Sequence, residues 1–304
     1  DPDEDHPHQQ REEHRDRDPR RGRHVQHRDD AGQVARCTNN LSTGLWHHVN
    51  KTGRSVILLP SSDKTWNSEI MFTGLFILLT VIFYTLYWLI ASSKGIKEIL
   101  YARLDPHRAN VLHVVFRRVT GFVLLGLLPV AVCILFLKDY ALADAGIGFN
   151  PETTRFTIIS IILLGLVIIP VVSFTARRAK IYSIYPEIRA SRWTGQLLLI
   201  ETVTWALYLL GYEALFRGVL LLGLARLLDP AAAITINVIL YSAAHFPKGR
   251  TETLAAIPYG IVLCILTLHS GTIWIAFFTH LLNAIATSLS SIKFNPEKSY
   301  ERIQ

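Results

Sequence analysis

Five polar residues in the C-terminal third of the chain, Glu213, Arg217, His245, His280 and Asn283, stand in stretches otherwise built of hydrocarbon side chains. Glu213 and Arg217 lie four apart in "GYEALFRGVLLL". That spacing puts them on one helix face, where the guanidinium pairs with the carboxylate and offsets part of its desolvation. Tyr241 and His245 in "YSAAHF" repeat the interval, and His280 and Asn283 in "THLLNAIA" share a face three apart, with Ala284 beside them. A carboxylate and a histidine around one water can take its proton, while a second histidine and an asparagine amide donate to the oxyanion of an attacked carbonyl. Such a set hydrolyses an amide without a nucleophilic side chain. Three other readings stay open. The carboxylate and guanidinium could be a buried pair that fixes packing, and the His280/Asn283 pair a hydrogen bond between helices. Glu213, His245 and His280 could also hold zinc, which accepts such donors. The tight HExxH spacing is missing, so the metal-free version is preferred and no cofactor is expected.

Charged groups at the centre of a membrane helix cost roughly 2.5 to 3.5 kcal/mol each, so their neighbours must form a chamber that shields them. Half of the 304 residues are hydrophobic. They fall into apolar runs of transmembrane length at 70–92, 111–137, 156–174, 195–228, 231–246, 253–268 and 272–290. The run 195–228 is too long for one ordinary span, being either one tilted helix or two elements broken near Gly211 or Gly218. The expected fold is all-α, a polytopic membrane bundle of seven or eight transmembrane helices over 70–292, with a short C-terminal tail at 293–304. Lys94, Lys97, Arg103 and Arg108 make a basic loop after the first span, and Arg117 and Arg118 lie near enough to the next span's start to snorkel. By the positive-inside rule this loop and the one at 175–194 face the cytoplasm. If 195–228 is one helix, Lys248, Arg250 and the C-terminus lie on that side too.

The first 45 residues are a different polymer, of mixed charge with no hydrophobic period, and are expected to be a disordered tail. A polar lead-in follows at 46–69. The single methionine, Met71, opens the first span, which raises the possibility that the upstream segment belongs to an over-extended reading frame. The formal charge of +7 falls largely in short loops, where orientation explains it, so no nucleic-acid partner is expected. Cys37, Cys133 and Cys264 form no CxxC pair.

"YEALFRG", "YSAAH" and "HLLNA", in this order near the end of a multi-span chain, resemble the three motifs of the CPBP family of intramembrane proteases. That family includes CAAX prenyl proteases and bacteriocin-processing or immunity proteins, and its pattern reads EExxxR, FxxxH, then HxxxN or HxxxD. The resemblance covers about 182–290. It implies an integral protein of a bacterial inner or plasma membrane that cuts a peptide or lipidated protein at or in the bilayer with a glutamate-activated water. Carried over residue by residue, it makes Glu213 the base, Arg217 its orienting partner, His245 a second holder of the water, and His280 with Asn283 the oxyanion donors. Tyr212 stands where the family has its first glutamate, Tyr241 replaces the usual phenylalanine, and Ala284 occupies the place expected for the last Asn or Asp. Tyr212 leaves two outcomes: Glu213 takes over as base, or the chain is an inactive member that binds a partner in the chamber. Glu252 is a replacement carboxylate or simply a solvated helix start. A transporter or channel ranks third, since intramembrane ionisable residues also mark ion paths.

Overall fold

A computed structural model describes residues 66–178, 181, 184–190, 192–294 and 299–300. The expected tail at 1–45 and most of the lead-in lie outside them. Helix α1 spans Trp66–Ala91, α2 Lys94–Arg103, α3 Pro106–Phe136, α4 Pro151–Thr175, α5 Gly195–Leu222, α6 Pro230–Ala243, α7 Arg250–Ser270 and α8 Trp274–Phe294. Among the described residues six of these are long and apolar enough to cross a membrane, and α6 is a shorter apolar helix. The architecture is an all-α membrane bundle. The run 195–228 holds one helix, without a break at Gly211 or Gly218, and ends in a turn after Leu224.

Helix starts follow from local chemistry. Asp105-Pro106, Asn150-Pro151 and Asp229-Pro230 each place a capping side chain before a proline that has no N–H to leave unpaired. Asp229 Oδ1 accepts from the N–H groups of Ala231 and Ala232 at 3.0 and 3.1 Å. Thr194 caps α5 in the same way, accepting from Leu197 N at 3.3 Å. Gly271 stops α7 with φ of 67°, a left-handed conformation that a side chain disfavours.

Two sequence expectations need correction. The segment after the first span is not merely a basic loop: Lys94–Arg103 is a helix with no buried residue, its Ile99 and Tyr101 as exposed as its lysines. Arg118 does not snorkel. It is 2% exposed, because Glu201 of α5 takes it inward. A side chain that finds a buried carboxylate gains more than one that must stretch to the interface.

Helix α5 is the axis of the bundle. Its most apolar window is 78% buried, against 11% for α4, which faces outward along most of its length. Lipid removes the hydrophobic drive between helices, so close packing and polar contacts hold them together. Gly126 of α3 and Gly211 of α5 supply the closest approach: a Cβ on Gly126 would lie 2.7 Å from the Gly211 Cα. Both helices are π-helical beside this crossing, at Phe122–Leu127 and Ala214–Leu222. A two-residue parallel pairing of Arg192–Trp193 with Ser299–Tyr300 ties the chain beyond α8 to the entry of α5.

Candidate active site

The π segment begins at Ala214, directly after Glu213. Its i→i+5 pattern widens the turn, a feature frequent at functional sites. The widened helix leaves backbone groups in need of partners, and the Asn237 amide of α6 donates to the Phe216 carbonyl. Cys264 Sγ of α7 in turn donates to Asn237 Oδ1 at 3.2 Å. Neither contact was anticipated, although an amide in an apolar span was a visible signal.

Glu213 and Arg217 are fully buried. Arg217 Nη1 lies 3.4 Å from Glu213 Oε2, and its guanidinium carbon sits 4.1 Å from the Tyr241 ring centre, a cation–π contact that anchors the arginine from α6. The other carboxylate oxygen, Oε1, is 2.6 Å from His280 Nδ1 on α8. An ionised carboxylate only accepts, so Nδ1 carries the proton and Nε2 is left free to accept.

His245 does not share a helix with Tyr241, as the four-residue spacing suggested. Helix α6 ends at Ala243, and His245 opens the 3-10 turn Phe246–Lys248. Its Nδ1 donates to the Tyr241 carbonyl at 2.9 Å, which leaves Nε2 as the acceptor in the neutral ring. Tyr84 of α1 fixes this turn by donating to the Ala244 carbonyl at 2.7 Å. His245 stands beyond the apolar helix, and burial, with the Lys248 ammonium, pushes its imidazole down to about 3.

A cavity of about 430 Å³ meets these groups between α4, α5, α7 and α8. His245, His280 and Asn283 line it, together with Tyr212, Tyr259 and Glu252. Glu213 and Arg217 are not in its wall; Glu213 reaches the cavity's edge through His280. Tyr212 packs edge-on to both imidazoles, 6.3 Å from His245 and 5.9 Å from His280 between ring centres. Glu252 is both a first-turn residue of α7 and part of the cavity wall, near Lys248 and Tyr185. The structure thus brings together all five residues singled out from the sequence, with Glu213 and Arg217 behind the histidine and not beside the space. Tyr259, whose ring lies 5.5 Å from that of His280, was missed. Among the described residues no group of three or more His, Cys, Asp or Glu is arranged to hold a metal ion.

Residues 194–286 match the family model for the type II CAAX prenyl endopeptidase, Rce1-like. This segment is similar to CAAX proteases of the CPBP type. It begins at the cap of α5 and ends within α8, so the matched segment contains Glu213, Arg217, His245, His280 and Asn283, while α1 and α4 add Tyr84 and Thr175 from outside it. No curated protein and no solved structure matches the chain. This similarity, with the apolar helices, supports at family level a membrane-embedded peptidase acting on a membrane-associated peptide.

Proposed function

We propose that the chain is an intramembrane endopeptidase that cleaves a lipidated or membrane-proximal peptide with a water activated by the Glu213–His280 pair. The 2.6 Å contact between Glu213 Oε1 and His280 Nδ1 carries this reading. It orients the imidazole with Nε2 as the acceptor, and His280 lines the cavity. A water held between His280 Nε2 and His245 Nε2 gives one proton to His280 as its oxygen attacks the peptide carbonyl carbon. The Glu213 carboxylate stabilises the imidazolium that forms, and Arg217 balances the carboxylate. Asn283 donates from the cavity wall to the carbonyl oxygen as it becomes an oxyanion. The imidazolium then protonates the leaving nitrogen and the C–N bond breaks. Lys248, Glu252 and Tyr185 lie in the same cavity wall, on the side assigned to the basic loops, so the peptide enters from the cytoplasmic face.

The test uses purified protein in lipid nanodiscs and an internally quenched, S-prenylated CAAX peptide. Cleavage beside the prenylated cysteine should be insensitive to chelator and lost in both Glu213→Gln and His280→Gln. Undiminished cleavage in those variants would overturn the mechanism, as would loss to chelator with recovery on adding zinc. A second reading rests on Tyr212, which fills the family's first glutamate position. On that reading the chain binds the peptide in the same cavity and does not cut it, and binding without cleavage by any variant is its signature.

A further inference from the structure

Tyr212 belongs to none of the steps above, yet its ring, like that of Tyr241, stands close to both imidazoles. Its ring is 4% exposed and meets the His245 and His280 rings at 89° and 81°. It lines the cavity. Among the described residues its hydroxyl has no hydrogen-bond partner, although it is buried. Leaving an O–H unpaired in an apolar interior is unfavourable, and buried polar groups are nearly always satisfied, so an unpaired one beside a reaction cavity calls for an explanation. A carboxylate at this position would accept a proton; a phenol is neutral and donates.

We infer that Tyr212 is a second oxyanion donor, its hydroxyl hydrogen-bonding to the carbonyl oxygen of the scissile peptide bond as that oxygen takes up the electron pair of the C=O bond. This rests on the endopeptidase reading. In the step, the water oxygen forms a bond to the carbonyl carbon, one water proton passes to His280 Nε2, and the oxyanion is held by the Tyr212 O–H and the Asn283 N–H. Collapse restores the C=O bond, breaks the C–N bond and returns the proton from His280 to the amine. Tyr212 donates a hydrogen bond throughout and its proton is not transferred. The substitution that removes the family's carboxylate therefore changes the division of labour: the negative charge stays behind His280 on Glu213, and the cavity wall gains a donor where it would have had an acceptor. An acceptor would repel the oxyanion, whereas a donor fixed before the reaction stabilises it without reorganisation.

Tyr212→Phe removes the hydroxyl and keeps the ring that packs on Phe216 and Tyr241. With the prenylated peptide in nanodiscs, kcat should fall by roughly 10²-fold, the scale for loss of one oxyanion-hole donor, while KM stays within about twofold. A phosphinate analogue of that peptide, whose P–O⁻ group imitates the oxyanion, should bind Tyr212→Phe at least about tenfold more weakly than wild type, with binding of the uncleaved parent peptide unchanged. Tyr140→Phe also removes a buried, unpartnered hydroxyl, from outside the cavity wall, and should alter neither quantity. If Tyr212→Phe keeps wild-type kcat and phosphinate affinity while Glu213→Gln abolishes cleavage, the donor role is wrong and the endopeptidase reading stands. If the wild-type protein neither cleaves the peptide nor prefers the phosphinate over it, both fall. Thermal melting of each variant identifies one that has lost its fold, and phosphinate affinity measured on the folded fraction then decides the matter.

Discussion

Helix α5 carries two carboxylates into the bundle, Glu201 on its second turn and Glu213 just before its π segment, and each faces an arginine in an apolar interior. Around Glu201 nearly every donor and acceptor is committed. Oε2 accepts from Arg118 Nη1 at 2.7 Å, and Oε1 accepts from Trp205 Nε1 at 2.9 Å and from Ser288 Oγ at 2.8 Å. The Arg118 guanidinium carbon lies 4.1 Å from the Trp205 ring centre. This cluster joins α3, α5 and α8 and uses up its charge in doing so. Around Glu213 the commitments are incomplete. Oε1 holds His280, but Oε2 and all three Arg217 nitrogens lack a hydrogen-bond partner among the described residues. A satisfied network resists change, while one with spare capacity beside a cavity can accommodate charge that moves. The first is a fastener, and the second has the character of a reaction centre.

Exchanging one member of each pair should separate the two most sharply. Glu213→Gln should lower kcat by about 10²- to 10⁴-fold, the range for a general acid–base system. Arg217 is then left without its counter-charge and the melting temperature falls with it. Adding Arg217→Met should recover the melting temperature and none of the activity, because the imidazole still lacks its carboxylate. Recovery of cleavage in that double variant would break the comparison.

The corresponding change at the fastener is next in size. Glu201→Gln leaves the buried Arg118 with only Glu187, whose Oε2 lies 3.4 Å from Nη2, which should lower stability by up to about 3 kcal/mol, the low end for an ion pair broken outright. Arg118→Met with Glu201→Met should restore most of it, and activity per folded molecule should return to the wild-type level. Unfolding in mixed detergent micelles, followed by cleavage of the refolded fraction, measures both. A stable double variant with a lasting catalytic defect would move Glu201 into the functional class.

The smallest effect concerns protons. Folding holds His245 at about 3 against its ordinary 6.5, so between these values the unfolded chain binds a proton that the folded one refuses. Stability therefore falls as pH drops through this window, and His245→Gln should flatten the slope there. An unchanged slope would mean that the second imidazole is not kept neutral.

These two clusters were not equally legible in the sequence. Glu213, Arg217, His245 and His280 could be found because each is a polar residue in a short apolar motif, and for Glu213 with Arg217 and His280 with Asn283 the interval announces a shared face. Glu201 and Arg118 are 83 residues apart, and no local interval connects them. Arg118 beside Arg117 looked like the basic edge of a span, and Glu201 passed for an ordinary residue of an apolar run. The apolar spans were readable by their length, but the starts of α3 and α4 were set at 111 and 156, after the Asp-Pro and Asn-Pro steps at which the helices begin, because a polar first turn adds nothing to hydropathy. The turn that carries His245 was not, because the four-residue spacing from Tyr241 fits a helix as well as a helix end. Tyr259 gave no sign, being one aromatic among many until the fold turned it toward His280.

The π segment from Ala214 to Leu222 has a bearing on changes of chain length. All nine of its residues are buried, so any substitution there alters a packing contact. Deleting one residue from it acts differently. The stretch closes from an i→i+5 to an i→i+4 pattern, and the tighter turns take up most of the rotation that the lost residue supplied. The flanking segments keep nearly the same facing, while the widened turn after Glu213 disappears and the Phe216 carbonyl returns to the helix ladder, away from the Asn237 amide. A deletion in the α-helical part of α5 before Glu213 has no such reserve, and turns one side of the helix by about 100° relative to the other. A gap in an alignment of α5 is thus absorbed within the π segment, whereas one placed a turn earlier joins positions that no longer face the same neighbours.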